Sequence, residues 1–272
     1  MKIIATLPKN SRMQIATGAF ILLSIALFSI IGPYFTPDPF SQNLSCVFTD
    51  PCSEYLLGSD HLGRSVVARL VKGGANTLFN TSVCVIGSVL IGVLLGLSSG
   101  WYGGFIDTAI MRLVDITMSF PGILLALLIA GLIGGGQIAV VGALTITGWP
   151  DYCRITRAIT QNVVSRPYVE AGVLAGFSGQ FILKKYVFIE ILPQIAVLAT
   201  LGFGRTILNI SSLGFLGIGL APPEPEWGAM IAESLPYLRQ SPYLVLAPAA
   251  AVSFTVFSFL LVGQPLARAL KK

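Results

Sequence analysis

Residues 168–194 read YVEAGVLAGFSGQFILKKYVFIEILPQ. The stretch carries two acids, Glu170 and Glu190, with Lys184, Lys185, three glycines and Pro193, and Arg154, Arg157 and Arg166 precede it. It is charged, helix-prone and too short to be a domain, yet it interrupts a chain otherwise suited to lipid. Of the 272 residues, 54% are hydrophobic and only 11% are charged, whereas soluble domains carry about a quarter charged residues. A polytopic, all-α membrane protein fits that composition, with no room for a second globular domain. The net charge of +5 is scattered around apolar stretches, so it reads as membrane topology and not as a nucleic-acid surface.

Working outward, apolar windows of about 20 residues mark bilayer-crossing helices. They fall at 15–31, 78–100, 113–134, 137–157, 191–219 and 243–263, which predicts six spans. The first follows Lys2, Lys9 and Arg12 but meets GPYFTPDPF and no small-residue cleavage site, so it reads as an uncleaved span. Gly148, Trp149, Pro150 and Asp151 interrupt the fourth. Residues 1–77 then form a tail, a first span and a polar outer segment. Residues 78–272 form the core, with a large loop at about 150–192.

Charge placement gives the orientation. With the N-terminus inside, the inner segments hold Lys2, Lys9, Arg12, Arg112, Arg154, Arg157, Arg166, Lys184, Lys185, Arg268, Lys271 and Lys272. The outer loops hold only Arg64, Arg69, Lys72 and Arg239, beside the acids Asp38, Asp50, Glu54, Asp60, Glu224, Glu226 and Glu233. Excess Lys and Arg marks cytoplasmic loops, so both termini and the 168–194 stretch are expected in the cytoplasm of a bacterium, with the spans in its inner membrane.

In that stretch Glu170 to Phe177 suits a short helix with an acid near its positive end. Gly176 and Gly179 suit a bend or close contact, and Pro193 suits the opening turn of the next membrane helix. Such a helix would pass a push from a soluble partner into the bundle. The other reading is an ordinary connection with interfacial lysines.

The pattern E-A-x-x-x-x-G followed by I-L-P, here Glu170, Ala171, Gly176, Ile191, Leu192 and Pro193, resembles the coupling-loop signature of binding-protein-dependent ABC importer permeases. Gly172 stands where a second alanine is usual, and the 16 residues between Gly176 and Pro193 exceed the common form by about four. Three more stretches carry the resemblance, in order along the chain: LGSDHLGRSVVARLVKGGANTL (57–78), WYGGFIDTAIMRLVDITMSFPGILLALL (101–128) and SSLGFLGIGLAPPEPEWGAMI (211–231). Together they are similar to the "C"-type permeases of the peptide/nickel branch. The resemblance implies the type I importer permease fold, a second related permease as heterodimer partner, two ATPase subunits and an extracytoplasmic binding protein. It also implies that Glu170, Ala171, Gly172, Gly176, Phe177 and Pro193 couple the chain to the ATPase.

Catalytic patterns are missing. No G-x-x-x-x-G-K-[ST] loop is present to hold ATP, so ATP and Mg belong to partner subunits, and no cofactor, catalytic residue or fixed metal site is expected here. His61 stands alone, without a second His or a Cys pair to complete a cage. Arg205, with Asn209 one turn on, is the candidate pathway residue: it would attract a carboxylate-bearing solute or pair with Asp115 as a gate, or else snorkel or serve as a structural pair within the bundle. Asp60 and Arg64, in a segment whose Val66, Val67 and Leu70 suggest an amphipathic face, and Glu226 with Trp227 would meet the binding protein or else plug the outer end of the bundle. Cys46 and Cys52 share a polar loop and would either bridge or stay free.

For cargo, the resemblance offers peptides or nickel. The lengthened coupling loop and the run 197–231 lean toward nickel and other metal chelates, with di- and oligopeptides the alternative. An ion-coupled secondary transporter is the rival class; it would need ionisable groups near the midplane and an inverted repeat.

Overall fold

The computed structural model describes residues 8–53 and 55–270. Lys2, Glu54, Lys271 and Lys272, used above for orientation, lie outside the described residues. Among the described residues, four helices are long and apolar enough to cross a membrane singly: α1 (Lys9–Ile31), α2 (Val66–Tyr102), α7 (Gly179–Phe215) and α9 (Tyr243–Leu270). Helices α3 (Gly104–Met118) and α4 (Gly122–Ile133) meet at 89°, the geometry of a broken span or a re-entrant loop, and taken as one span they bring the count to five. The expected fourth span corresponds to α5 (Gly136–Val164), whose 29 residues reach about 43 Å at 1.5 Å each, but α5 is not among the helices apolar enough to cross a membrane, so the described residues do not reach the expected count of six. Asp151, Arg154 and Arg157 make it less apolar than the rest. Two short helices, α6 (Pro167–Leu174) and α8 (Trp227–Ser234), complete the chain.

Several expected boundaries move. The second span begins at Val66, not 78: Ser65 caps it by accepting from the Ala68 N–H, and Val66, Val67, Ala68 and Val71 are buried. The segment is therefore the interior start of a long helix, not an amphipathic strip on the outer surface. The third breaks at Ser119-Phe120-Pro121, because a proline displaces the preceding residue from helical geometry and lacks an N–H. The fourth runs straight through Pro150, as membrane helices tolerate when neighbours resupply the freed backbone groups. The fifth begins at Gly179 and passes through a π-helical turn at Leu183–Val187. Pro193 thus lies inside the helix and not in its opening turn.

The main contact is α2 against α5. Gly92, Gly96 and Gly100 repeat at four-residue spacing, the small-residue pattern that brings membrane helices together backbone to backbone. A Cβ on Gly92 would stand 2.6 Å from the Trp149 carbonyl oxygen, and one on Gly96 2.5 Å from that of Cys153. Beside this seam Tyr152 and Val163 of α5, Val169 of α6, and Ile182, Val187, Ile191 and Ile195 of α7 form one buried apolar cluster. It fixes the short α6 to the foot of α7.

Candidate functional site

Three places carry the candidate residues: the short α6, a cavity between α5 and α7, and the far end of the bundle where the loops close over one another.

Helix α6 begins with Arg166 extended and Pro167 in its first turn, and Glu170 lies in that turn. It ends in a Schellman motif: Phe177 N–H donates to the Gly172 carbonyl at 3.0 Å and Gly176 N–H to that of Val173 at 3.0 Å, with Gly176 at φ +85°. Only glycine adopts that conformation without strain. A Cβ on Gly172 would come within 3.1 Å of the Phe177 ring, so glycine in place of alanine makes room for the ring to fold back. Ser178 then caps α7 by accepting from the Phe181 N–H. Val169 and Gly172 face inward, while Glu170 and Ala171 are exposed. Leu174 is 84% exposed and Val173 57%. These two apolar side chains, which the sequence reading passed over, form an outward knob.

The cavity, of about 330 Å³, is bounded by α2, α5 and α7 and by the α3–α4 elbow. Arg205 and Asn209 both line it, as their helical spacing predicts. Asp115, however, is exposed on α3, and the partner of Arg205 is Asp151, with Nη1 donating to Oδ2 at 2.8 Å. The side chains are 71% and 41% exposed. Asp151 had read only as a break in the fourth span. The available signal was an acid at the middle of an apolar helix, which is rare in lipid and points to a pathway or a pair.

At the far end, the four residues expected at the surface are interior. Asp60 and Arg64 are 5% and 4% exposed. Arg64 Nε and Arg69 Nη1 donate to Asp60 Oδ2 at 2.7 and 2.8 Å, and Arg69 Nη2 reaches Glu233 of α8 at 2.9 Å. Burial would push the Asp60 carboxyl up, but the N–H groups of Arg64 and Leu62 and the two guanidiniums outweigh it and hold the carboxyl below its usual range. Glu226 is wholly buried and caps α8, accepting from Ala229 N–H at 3.1 Å, Thr77 Oγ1 at 3.2 Å and Ser211 Oγ at 3.4 Å. Its burial raises its pKa despite those donors. Trp227 is buried too, its Nε1–H donating to the Leu70 carbonyl at 2.9 Å. These side chains plug the bundle; they are too enclosed to offer a surface. The reason is long-range pairing: α8 brings Glu233 to two arginines more than 160 positions away in sequence. Cys46 and Cys52 are free. They point to local partners, Cys46 Sγ to Asn43 Nδ2 and Cys52 Sγ to the Tyr55 N–H.

Residues 92–272 match the family described as "Binding-protein-dependent transport system inner membrane component". The chain is 35% identical over 264 residues to the dipeptide transport system permease protein DppC of Haemophilus influenzae, covering 93% of this chain and 88% of that one. It is 30% identical over 258 residues to the nickel transport system permease protein NikC of Escherichia coli, covering 94% and 93%. Among solved structures, a crystal form of the inward-facing MetNI methionine ABC transporter aligns with a TM-score of 0.57 at 22% identity, covering 75% of this chain and 96% of that one.

Proposed function

The chain belongs to the binding-protein-dependent transport system inner membrane components, and from that premise we propose that it forms half of the pathway of an ATP-driven importer whose cargo is small peptides. Membership sets aside the ion-coupled secondary transporter. The observation that carries the mechanism is the joint between α6 and α7. Val169 of α6 packs with Ile182, Val187 and Ile191 of α7, and the same helix carries Arg205 into the cavity. From Gly179 to Arg205 the helix spans about 39 Å, so a push on α6 reaches the cavity wall along one continuous helix.

In this reading both termini and α6 lie in the cytoplasm, as the excess of Lys and Arg on that side favours. Leu174 and Val173 seat in a groove of an ATPase subunit. Two such subunits hold the ATP and Mg and supply the free energy, and this chain performs no catalysis. A second permease completes the pathway opposite the α5–α7 cavity, and an extracytoplasmic binding protein delivers cargo at the plugged end. Expected selection of nickel or another metal chelate keeps the support of the NikC relative. The higher identity to DppC favours peptide.

The test is a cysteine at Leu174 in the assembled importer. It should cross-link to the ATPase subunit, and uptake of a labelled dipeptide should require ATP. A cross-link that forms only to reagents added outside the cell would overturn the reading. Uptake of labelled nickel without dipeptide uptake would transfer the cargo assignment to the metal.

A further inference from the structure

Among the described residues, the charged groups lining the cavity are one cation and one anion, Arg205 and Asp151. They differ from two other ion-paired groups of the molecule. Arg157 grips Asp107 through two nitrogens, and Arg64 and Arg69 are locked at about 5% exposure. Arg205 makes a single contact, Nη1 to Oδ2, with side chains 71% and 41% exposed. Its remaining N–H groups and Asp151 Oδ1 have no protein partner among the described residues. Such an open, single-contact pair contributes little stability and exchanges easily. Its two members also sit on different elements: Arg205 on α7, which is joined to α6, and Asp151 on α5.

A cavity that offers one charge of each sign matches a solute that carries one of each. A metal cation would find a single carboxylate beside a repelling guanidinium, and a simple anion would meet the reverse conflict. A peptide with free termini fits both: its carboxylate replaces Asp151 on the guanidinium fork, and its ammonium replaces Arg205 on the carboxylate. Two residues span about 7 Å when extended, and the cavity of about 330 Å³ lies within the common range for small-molecule sites. Thr117, Thr206 and Asn209 supply neutral hydrogen-bonding groups around the pair.

We propose that the Arg205–Asp151 ion pair is a cargo-exchanged selector: a zwitterionic peptide opens it, the free carboxylate taking Arg205 and the ammonium taking Asp151. The pair closes again once the cargo leaves. This rests on the importer reading with peptide as cargo.

The experiment uses the complete importer, with both permeases, the ATPases and the binding protein, in vesicles containing ATP. It measures labelled dipeptide taken up per ATP hydrolysed, with gel filtration of each variant to check assembly. Arg205→Gln, Asp151→Asn and the double variant should each lower uptake per ATP by roughly tenfold or more, the scale expected for losing a charge-assisted hydrogen bond. Arg205→Lys, which keeps the charge, should recover most of it. Two results overturn the proposal. In one, the double variant transports at the wild-type ratio, because the charges then served only to neutralise each other. In the other, the double variant fails to assemble, because the pair is then a strut. A wild-type importer that takes up no dipeptide removes the peptide reading itself, a result distinguishable from both.

Discussion

The Arg157 guanidinium holds Asp107 with two parallel bonds, Nε to Oδ1 at 2.5 Å and Nη2 to Oδ2 at 2.6 Å, and Ser99 Oγ donates to the same carboxylate. Helices α2, α3 and α5 therefore meet at one acid, near the end of the bundle that carries α6. A bidentate arginine–carboxylate pair is the strong form of the interaction. Asp107→Asn should cost about 1–2 kcal/mol, seen as a lower melting temperature of the detergent-purified complex. Arg157→Lys keeps the charge but loses the fork, so it should fall between Asp107→Asn and wild type. Equal melting of all three would show that the pair bears no load.

The α2–α5 seam gives a sharper expectation. Gly96→Val would place a side chain where a Cβ alone already stands 2.5 Å from the Cys153 carbonyl oxygen and 2.7 Å from Thr156 Cβ. The backbones must separate, at a cost of about 3 kcal/mol or more. Little folded protein should be recovered from the membrane by fluorescence-detected gel filtration. Gly131→Ala is the control: its Cβ would meet nothing within 4 Å, and alanine is the better helix former.

At the plugged end two acids respond to pH in opposite senses. Burial raises the folded pKa of Glu226 above its ordinary 4.5, so the folded state holds that proton more tightly than the unfolded chain does. Its contribution is full below the ordinary value and is lost as pH rises through the raised one. Asp60 is held below its ordinary 3.8, so its contribution is present above that value and is lost as pH falls through the lower folded pKa. Melting followed across pH should show Glu226→Gln flattening the loss on the alkaline side while keeping an acceptor for the Ala229 N–H. Glu226→Ala should cost about 1 kcal/mol for the cap alone, at every pH.

These features differ in how far the sequence shows them. Composition alone carries the helical membrane class, and the four motifs carry the family. Glu170, Gly176 and Phe177 could be placed on a short helix and its turn because α-helix caps are written locally. The start of α2 was not legible, because Arg64, Arg69 and Lys72 read as a solvated loop until α8 brings Glu233 to the two arginines. Pro193 looks like a helix start, yet α7 continues through it with the π-helical turn just ahead. Asp151 was visible only as a helix breaker, since its partner lies 54 positions away. Pairing over such separations leaves no periodicity to read.

Leu174 and Gly176 separate the α6 joint from the stability of the bundle. Leu174 is 84% exposed, so Leu174→Asp removes no internal packing and should leave the melting temperature of the permease pair within about a degree, as surface changes usually do. It should nevertheless prevent co-purification of the ATPase subunits, because a buried carboxylate without a partner is costly at an apolar contact. Gly176→Val acts through the other route: at φ +85° a β-branched residue is strained by about 1–2 kcal/mol, which should loosen the turn and misplace an otherwise intact knob. ATPase binding should then weaken without vanishing. If Leu174→Asp binds the ATPase as tightly as wild type, the knob is not the contact, and α7 has nothing pushing on its foot.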